Sequence, residues 1–303
     1  MTVLQTKNLS KSYGGKRAVD NVSLTIEKGD IFGLIGQNGA GKTSFMRMIT
    51  SLSRPDSGEI ALFGASSPAK LTAARTRIGS VIETPALFQN LTAAQNLEYY
   101  RLQRGIAEKS RVEEVLKIVG LTDTGKKKFK NFSLGMKQRL GLAVAILGHP
   151  DFLILDEPIN GLDPTGIVET RDLIKRLNGE GITILISSHI LTELAQVANK
   201  YAIIHHGRLL KTLTQAELHE ECKRALAITV DEAAKAATVL ETTLGIRDYK
   251  QVSQNELRIY EYLDDPAELT YQLNQAGVRV SSIQTVGDSL EDYYSKMIGA
   301  SVS

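Results

Sequence analysis

Short apolar runs alternate with amphipathic segments along the first two thirds of the chain. The runs at 31–35, 152–155 and 182–186 are rich in β-branched residues, which predicts buried strands. Helical patterns lie between these runs, so the order of elements indicates a parallel α/β sheet. Residues 1–30 alternate in shorter runs broken by glycines, which predicts a strand-and-hairpin layer. A mostly helical subdomain is expected over about 92–147, inserted into the sheet.

The pattern changes after about residue 216. A βαββαβ order follows, which is typical of a small α+β module of ferredoxin-like type. A last helix is predicted after a cap formed by Ser289 and Asp292. We therefore expect one domain over 1–216 and an accessory domain over 217–303. Dimer contact or regulation, passive stabilisation and ligand sensing all remain open as roles for the accessory domain. Its predicted strands lie at 227–230, 249–253, 257–263 and 278–285, and its predicted helices at 231–244 and 266–276.

Composition narrows the class of protein. A chain of 303 residues with 42% hydrophobic and 23% charged residues is typical of a folded protein. Its net charge of +2 gives no electrostatic reason to expect nucleic acid, and the basic run at 126–130 is expected to be a solvated loop. Cys222 stands alone, which excludes an intrachain disulfide and fits a reducing compartment. No run of residues predicts a signal peptide or a membrane span, so we expect any work at a membrane to depend on partners.

A glycine-rich segment, GQNGAGKT at residues 36–43, directly follows the strand predicted at 31–35. Its glycines allow turns that bring successive backbone N–H groups to face phosphate oxygens. Lys42 adds a positive charge at the β- and γ-phosphates, and Thr43 offers a hydroxyl to Mg²⁺. The helix predicted over 42–51 directs the positive end of its dipole at the anion. The segment predicts a nucleoside triphosphate site formed by Gly36, Asn38, Gly39, Ala40, Gly41, Lys42, Thr43 and Ser44.

Two acidic residues, Asp156 and Glu157, end the apolar strand predicted at 152–155. Carboxylates at this rim of the sheet would lie beside the nucleotide, so Asp156 can hold Mg²⁺ opposite Thr43. Glu157 can face the γ-phosphate and polarise an attacking water. The sequence therefore predicts a catalytic carboxylate next to a metal ligand.

Ser133 and Gly135 open a helix that is predicted to begin near Leu134, about ninety residues after the glycine-rich segment. A hydroxyl group, a flexible backbone and a helix N-terminus make this a candidate second anion site. Read alone, the same residues describe a capped helix start. Their position just before the acidic strand favours the anion site.

Together, these motifs resemble the nucleotide-binding subunit of an ABC transporter. The resemblance covers about residues 1–215 and implies a P-loop NTPase fold with an antiparallel β layer and an inserted helical subdomain. It also implies hydrolysis of ATP with Mg²⁺. Five segments occur in the family's order and approximate spacing: GQNGAGKT, NFSLGMKQR in the place of the LSGGQ signature, FLILDEP, NGLDPTG and SSH.

The resemblance implies roles for three further residues. Tyr13 would stack on the adenine, Asp163 would lie in a loop that crosses a dimer interface, and His189 would be a switch histidine at the γ-phosphate. Without the family, each has another explanation. Tyr13 could be a strand-end aromatic, Asp163 a helix N-cap before Pro164, and His189 a loop histidine with satisfied hydrogen bonds.

Two departures from the family's common pattern are informative. The signature has Leu134 for its first glycine and Met136 for its glutamine, while Ser133 and Gly135 are kept. Glu83 stands where the family usually has a glutamine that touches Mg²⁺ and the membrane partner. Both features resemble the branch that serves bacitracin and lantibiotic-type antimicrobial peptide exporters and immunity pumps. We expect Glu83 to be a further Mg²⁺ contact and, by its charge, to tighten the dependence on the metal.

The resemblance further implies a head-to-tail dimer, a homodimer in the simplest case. A separate transmembrane permease would hold the chain at the cytoplasmic face of the cell membrane, and no nucleic acid is expected. Each ATP would lie between Lys42, Thr43, Asp156 and Glu157 of one subunit and Ser133 and Gly135 of the other.

Two other functions compete with transport. A soluble ABC ATPase acting on ribosomes or DNA is one, but ribosomal members usually carry two cassettes, and DNA-organising members carry long coiled coils, whose heptads are not apparent here. A GTPase needs an Asn-Lys-x-Asp element, and the nearest candidate at 199–202 lacks the acid.

Overall fold

Short, fully buried strands organise the first of the two units into which the chain divides, Met1–Gln215 and Ala216–Ser303. The computed structural model describes residues 1–83, 86–222, 224–263, 265–287 and 290–300. The strands of the first unit are β1 (Thr2–Tyr13), β2 (Lys16–Glu27), β3 (Ile31–Ile35), β4 (Ser57–Leu62), β5 (Ile78–Val81), β6 (Phe152–Asp156), β7 (Thr183–Ser188), β8 (Lys200–His205) and β9 (Arg208–Thr214). Its helices are α1 (Lys42–Ile49), α2 (Pro68–Arg75), α3 (Ala93–Gln103), α4 (Ser110–Ile118), α5 (Leu134–Ile146), α6 (Pro164–Gly179) and α7 (Leu191–Ala195).

The main sheet has six strands in the order β5-β6-β7-β3-β8-β9. Neighbours from β5 to β8 run parallel, as the sequence predicts, but β9 runs antiparallel to β8. The prediction of a purely parallel sheet is therefore wrong at this edge. Only His206 and Gly207 connect the two strands, and both have positive φ, 46° and 80°. A two-residue link of this kind makes a hairpin and is too short for a parallel crossover.

A second sheet, in the order β2-β1-β4, is antiparallel throughout. Its β1–β2 hairpin matches the layer predicted from residues 1–30, and β4 adds a strand that the prediction did not include. Apolar side chains of this layer share one core with the main sheet and with α1. Its fully buried members include Leu4, Leu9, Ile26, Phe32, Phe45 and Met46. This core fixes the loop between β3 and α1 against both sheets.

Three helices, α3, α4 and α5, fill the segment between β5 and β6, where the helical subdomain is predicted. Helix α3 begins with a capping box: Thr92 Oγ1 accepts the Gln95 N–H at 3.2 Å, and Gln95 Oε1 accepts the Thr92 N–H at 2.9 Å. Helix α5 begins after Ser133, whose hydroxyl accepts the Met136 N–H at 3.3 Å. The sequence thus placed the start of α5 correctly.

The second unit packs around an apolar core of its own. Its four strands pair antiparallel in the order β11-β12-β10-β13, and Leu226, Ile228 and Leu257 are fully buried in the core. The cap predicted at Ser289 lies outside the described residues. No described helix has the length and hydropathy that crossing a bilayer requires. The elements are α8 (Gln215–Cys222), β10 (Ala225–Val230), α9 (Ala233–Thr242), β11 (Tyr249–Gln251), β12 (Glu256–Ile259), α10 (Pro266–Gln275), β13 (Val280–Val286) and α11 (Leu290–Ala300).

Candidate functional site

The loop between β3 and α1 is shaped by two glycines in left-handed conformations. Gly39 has φ 81° and Gly41 has φ 108°. A Cβ on Gly41 would lie 2.2 Å from the Ala18 carbonyl oxygen, so this position admits only glycine. A Cβ on Gly39 would meet nothing within 4 Å, because the tip of the loop faces open space. Ala40 is buried beneath the tip, while Asn38 is exposed on it.

Lys42 folds back over this loop. Its ammonium group donates hydrogen bonds to the carbonyl oxygens of Gly36 at 2.6 Å and Gln37 at 3.3 Å. It also forms an ion pair with Glu157, with 3.1 Å between Nζ and Oε1, and only 5% of the lysine side chain is exposed. The Oε1 atom is buried, and among the described residues it accepts no hydrogen bond besides this ion-pair contact. A desolvated cation is therefore held at the loop in front of a carboxylate.

Asp156 joins α1 to the neighbouring strands. Thr43 Oγ1 donates to its Oδ2 at 2.7 Å, and Ser187 Oγ donates to its Oδ1 at 2.6 Å. The three residues meet because β3, β6 and β7 are adjacent parallel strands whose carboxyl ends share one edge of the sheet. The sequence predicted Thr43 and Asp156 but missed Ser187. The signal was present as the first serine of SSH, two residues before His189.

Glu157 follows in a left-handed backbone conformation with φ 50°. Its N–H donates to Ser187 Oγ at 2.9 Å, and its Oε2 lies 2.8 Å from His189 Nδ1. Because a carboxylate only accepts, we assign the imidazole proton to Nδ1, which leaves Nε2 as the acceptor. One glutamate thus contacts both Lys42 and His189, and the structure brings all three predicted residues together.

Ser133, Gly135 and Asp163 form a second cluster. They line a cavity of about 410 Å³ whose lining includes neither Lys42 nor Glu157. The Asp163 carboxylate accepts the Gly166 N–H at 3.1 Å, so the N-cap alternative for Asp163 is confirmed. The site residues predicted from the sequence therefore lie in two groups within one chain.

The two remaining site residues predicted from the sequence, Tyr13 and Glu83, are exposed. Tyr13 is 46% exposed at the end of β1. Glu83 forms an ion pair with Arg47 of α1, with 3.7 Å between Oε2 and the guanidinium, and 57% of its side chain is exposed. Within the described part of the chain, no hydrogen bond or ion pair joins Glu83 to Thr43 or Asp156, so its contact with Mg²⁺ stays a prediction. Thr84 and Pro85, which complete this segment, lie outside the described residues.

Comparison with known proteins gives this arrangement a family. A family model described as ABC transporter matches residues 19–160. The chain is 41% identical to the bacitracin transport ATP-binding protein BcrA of Enterococcus faecalis, over 98% of this chain and 96% of that protein. It belongs to the ABC transporter family.

Other members share part of the chain. The lantibiotic transport ATP-binding protein SrtF of Streptococcus pyogenes is 43% identical over 69% of this chain and 89% of that protein. A solved dimeric structure of MJ0796, a bacterial ABC transporter cassette, matches with a TM-score of 0.64 and 26% identity, covering 70% of this chain and 98% of that one.

As an ATP-binding subunit of this family, the chain binds and hydrolyses ATP. The residues present fit the nucleotide. The Gly39 position is open, since a Cβ there would meet no atom within 4 Å, and the Lys42 ammonium contacts carbonyl oxygens of its own loop and Glu157. Thr43 and Asp156 offer the hydroxyl and carboxylate oxygens that Mg²⁺ prefers.

Proposed function

We propose that this chain powers an exporter of antimicrobial peptides of the bacitracin or lantibiotic type, and so provides resistance or immunity. The names of BcrA and SrtF support this cargo, and BcrA aligns with nearly the whole chain. The departures at Leu134 and Met136 of the signature segment and at Glu83 resemble the same branch. The chain would not touch the cargo itself, because energy passes from ATP to a separate permease.

One observation carries the part of the proposal that concerns ATP hydrolysis. It is the cluster formed by Lys42, Asp156, Glu157 and His189. Backbone N–H groups of the loop from Gly36 to Ser44 would surround the phosphates, with Lys42 at the β- and γ-phosphates. A Mg²⁺ ion held by Thr43 and Asp156 would neutralise phosphate charge. Glu83 stays a proposed metal contact, which requires it to leave Arg47.

Glu157 is the proposed general base. Its carboxylate would orient the attacking water and accept its proton, while His189 holds Oε2 through Nδ1–H beside the γ-phosphate. In the structure, Lys42 occupies the space beside Oε1. When phosphate replaces Glu157 as the partner of Lys42, Oε1 becomes free to accept from water.

A second copy of the chain would complete the site. Ser133 and Gly135 would contact the phosphates bound to the other subunit, Asp163 would lie at the interface, and Tyr13 would stack on the adenine. Separation of the two clusters within one chain supports this division. Binding would then join two subunits and hydrolysis would release them, which gives a membrane partner two states to follow.

A cavity of about 390 Å³ between α2, α3 and α5 is the proposed docking site for a cytoplasmic segment of the permease. Arg75 and Arg104 line it beside Ile78 and Ile106. Each guanidinium donates to a backbone carbonyl, and burial lowers the pKa of both. Neither forms an ion pair with another described residue. We therefore infer that the docking segment is apolar and carries a carboxylate.

Such a permease would hold the chain at the cytoplasmic face of the membrane. We assign residues 1–216 to the nucleotide-binding domain and 217–303 to an accessory domain of ferredoxin-like type. The strand order β11-β12-β10-β13 and the two helices α9 and α10 support this assignment.

Replacing Glu157 with Gln tests the catalytic assignment. We expect Glu157→Gln to bind ATP normally and to form a stable ATP-dependent dimer, with hydrolysis lowered by about 100-fold or more because the base is lost. Steady-state turnover, nucleotide binding and size-exclusion chromatography with light scattering measure these effects. The exposed Glu180→Gln is the matched control. Normal turnover in Glu157→Gln would overturn the role of Glu157.

Sensitivity of cells to peptides tests the cargo. Cells that express the chain with its permease should resist bacitracin or a lantibiotic, and the Glu157→Gln variant should abolish that resistance. Growth inhibition across a panel of both peptide types measures it. Unchanged sensitivity to every peptide, with intact ATPase activity, would contradict the cargo while leaving the ATPase assignment in place.

A further inference from the structure

Tyr13 is tied to the end of the P-loop helix by a hydrogen bond. The Tyr13 and Ser53 hydroxyls lie 2.9 Å apart. Ser53 is itself fixed by its N–H, which donates to the Arg47 carbonyl oxygen in the last turn of α1 at 3.0 Å. The Tyr13 ring is therefore anchored to the C-terminal end of α1, the helix that carries Lys42 at its N-terminal end.

Lys11 covers one face of the same ring. Its ammonium lies 5.4 Å from the ring centroid, a cation–π distance, and 2.8 Å from Asp56 Oδ1. The other oxygen of Asp56 accepts the Ser12 N–H at 2.7 Å. The Lys11 contact and the Ser12 N–H hold the pKa of Asp56 below its usual value. Asp56 is thus an anchored acceptor, and it holds Lys11 over the ring.

We propose that Ser53 and Lys11 are positioning residues that hold Tyr13 as a platform with one open face for the base of ATP. The proposal rests on the assignment of Tyr13 to the adenine. A tyrosine at a hairpin end loses side-chain freedom when a base stacks on it, and a ring that is already fixed loses less. Lys11 lies over one face of the ring, and Tyr13 as a whole is 46% exposed, so we assign stacking to the opposite face.

Neither contact acts on the phosphates. Ser53 and Lys11 share no hydrogen bond or ion pair with Lys42, Thr43 or Asp156 among the described residues. Their effect should therefore depend on the base of the nucleotide. Dependence on the base distinguishes loss of ring positioning from damage to α1. Damage to α1 would weaken the binding of every ligand that carries a triphosphate.

The Ser53→Ala variant tests the hydrogen bond. We expect the KM for ATP to rise about 3- to 10-fold with kcat unchanged. Inhibition by inorganic tripolyphosphate, which has no base, should keep the wild-type inhibition constant. Ser53→Thr should restore the KM, and Ser23→Ala, an exposed serine of β2, is the matched control. A wild-type KM in Ser53→Ala, or equal weakening of tripolyphosphate, would overturn the proposal.

A double-mutant cycle adds a second measurement. Tyr13→Phe removes the other end of the same hydrogen bond, so Tyr13→Phe, Ser53→Ala and the double variant should share one raised KM. If the two single effects multiply instead, the contact is not the cause. Lys11→Met should also raise the KM, with Lys16→Met on the same hairpin as control and Lys11→Arg as the conservative variant that restores it.

The failure of the base assignment gives a different result. If Tyr13→Ala leaves the KM for ATP unchanged, the ring does not contact the base, and the assignment of Tyr13 fails together with this proposal. If Tyr13→Ala raises the KM while Ser53→Ala and Lys11→Met do not, only the positioning role is overturned.

Discussion

Ser187 supports both carboxylates of the site through one hydroxyl group. It donates to Asp156 Oδ1 and accepts the N–H of Glu157, and it is fully buried at 0% exposure. The backbone of Glu157 is left-handed, which costs about 1–2 kcal/mol for a residue with a side chain. The Ser187 hydroxyl holds that backbone conformation, so the serine orients the Glu157 carboxylate without a hydrogen bond to it.

We expect Ser187→Ala to lower kcat about 10- to 100-fold, because the hydroxyl acts as a supporting contact to a metal ligand and a base. The buried N–H of Glu157 would also lose its partner, at a cost of about 1–3 kcal/mol in unfolding free energy. Turnover with a Mg²⁺ titration, and denaturant unfolding, measure the two effects. Ser188→Ala is the matched control, since Ser188 contacts only Ile190 among the side-chain hydrogen bonds described. Equal kinetics in the two variants would contradict this role.

Sequence reasoning reached the residues whose chemistry is contained in a short motif. Lys42, Thr43, Asp156 and Glu157 follow from local spacing at the ends of two apolar strands. Ser187 was missed because its two contacts cross from β7 to β6, and nothing local marks them. Glu83 was expected at the metal, but Arg47, which is distant in sequence and adjacent in space, forms an ion pair with it.

The β8–β9 hairpin is the element that the periodicity did not reveal. Its turn supports the P-loop directly, since the Gly207 N–H donates to the Ala40 carbonyl oxygen at 2.9 Å. The rings of His205 and His206 lie at this turn with their centroids 4.1 Å apart and their planes tilted by 57°. Burial lowers the pKa of His205 from 6.5, and the neighbouring His206 adds to the shift. The buried Nε2 of His205 has no hydrogen-bond partner among the residues that the structure describes.

This hairpin should make stability depend on pH. A lowered pKa in the folded state means that the unfolded chain takes up a proton first, as the pH falls through about 6.5. Unfolding free energy should then decrease as the pH falls below about 7, and stay constant above that pH for this group. The nearby carboxylate of Asp20 does not contribute in this range, because its hydrogen bond from Arg208 at 2.8 Å lowers the pKa of an already acidic group.

Denaturant unfolding at several pH values checks the effect. His205→Phe keeps an aromatic ring and removes the titration, so its stability should fall less steeply with pH than that of the wild type. His219→Asn, which changes an exposed histidine in the second unit, serves as the control. An unchanged slope in His205→Phe would mean that other groups cause the loss.

At the scale of the whole molecule, the alternation of strands and helices predicted the class of fold but not the order of the strands. Buried apolar runs indicate which segments are strands because burial leaves a compositional trace. Neighbour relations such as β7 beside β3 leave none, since pairing is set by packing between distant segments. The same limit applies to assembly. The residues expected at one ATP lie in two clusters of this chain. A symmetric dimer would place one cluster from each chain at the same ATP.

Mixing two inactive variants tests that assembly. Lys42→Ala disables the P-loop cluster, and Gly135→Asp places a negative charge in the signature cluster, where a Cβ meets only Leu162 at an ordinary 3.5 Å. Each variant alone has one defective half in every site and should be inactive. A mixed dimer pairs an intact P-loop from one chain with an intact signature cluster from the other. Equal mixing should therefore recover about a quarter of wild-type activity, because half of the dimers are mixed and each keeps one of two sites.

The recovery should depend on the ratio of the two chains and peak at equal amounts. As a control, the wild type mixed with a chain that carries both substitutions should show no such peak, since the mixed dimers then contain no intact site. Hydrolysis measured across these ratios decides the question. If no mixture of the single variants exceeds either variant alone, the two clusters do not serve one shared ATP, and the head-to-tail dimer is wrong for this chain.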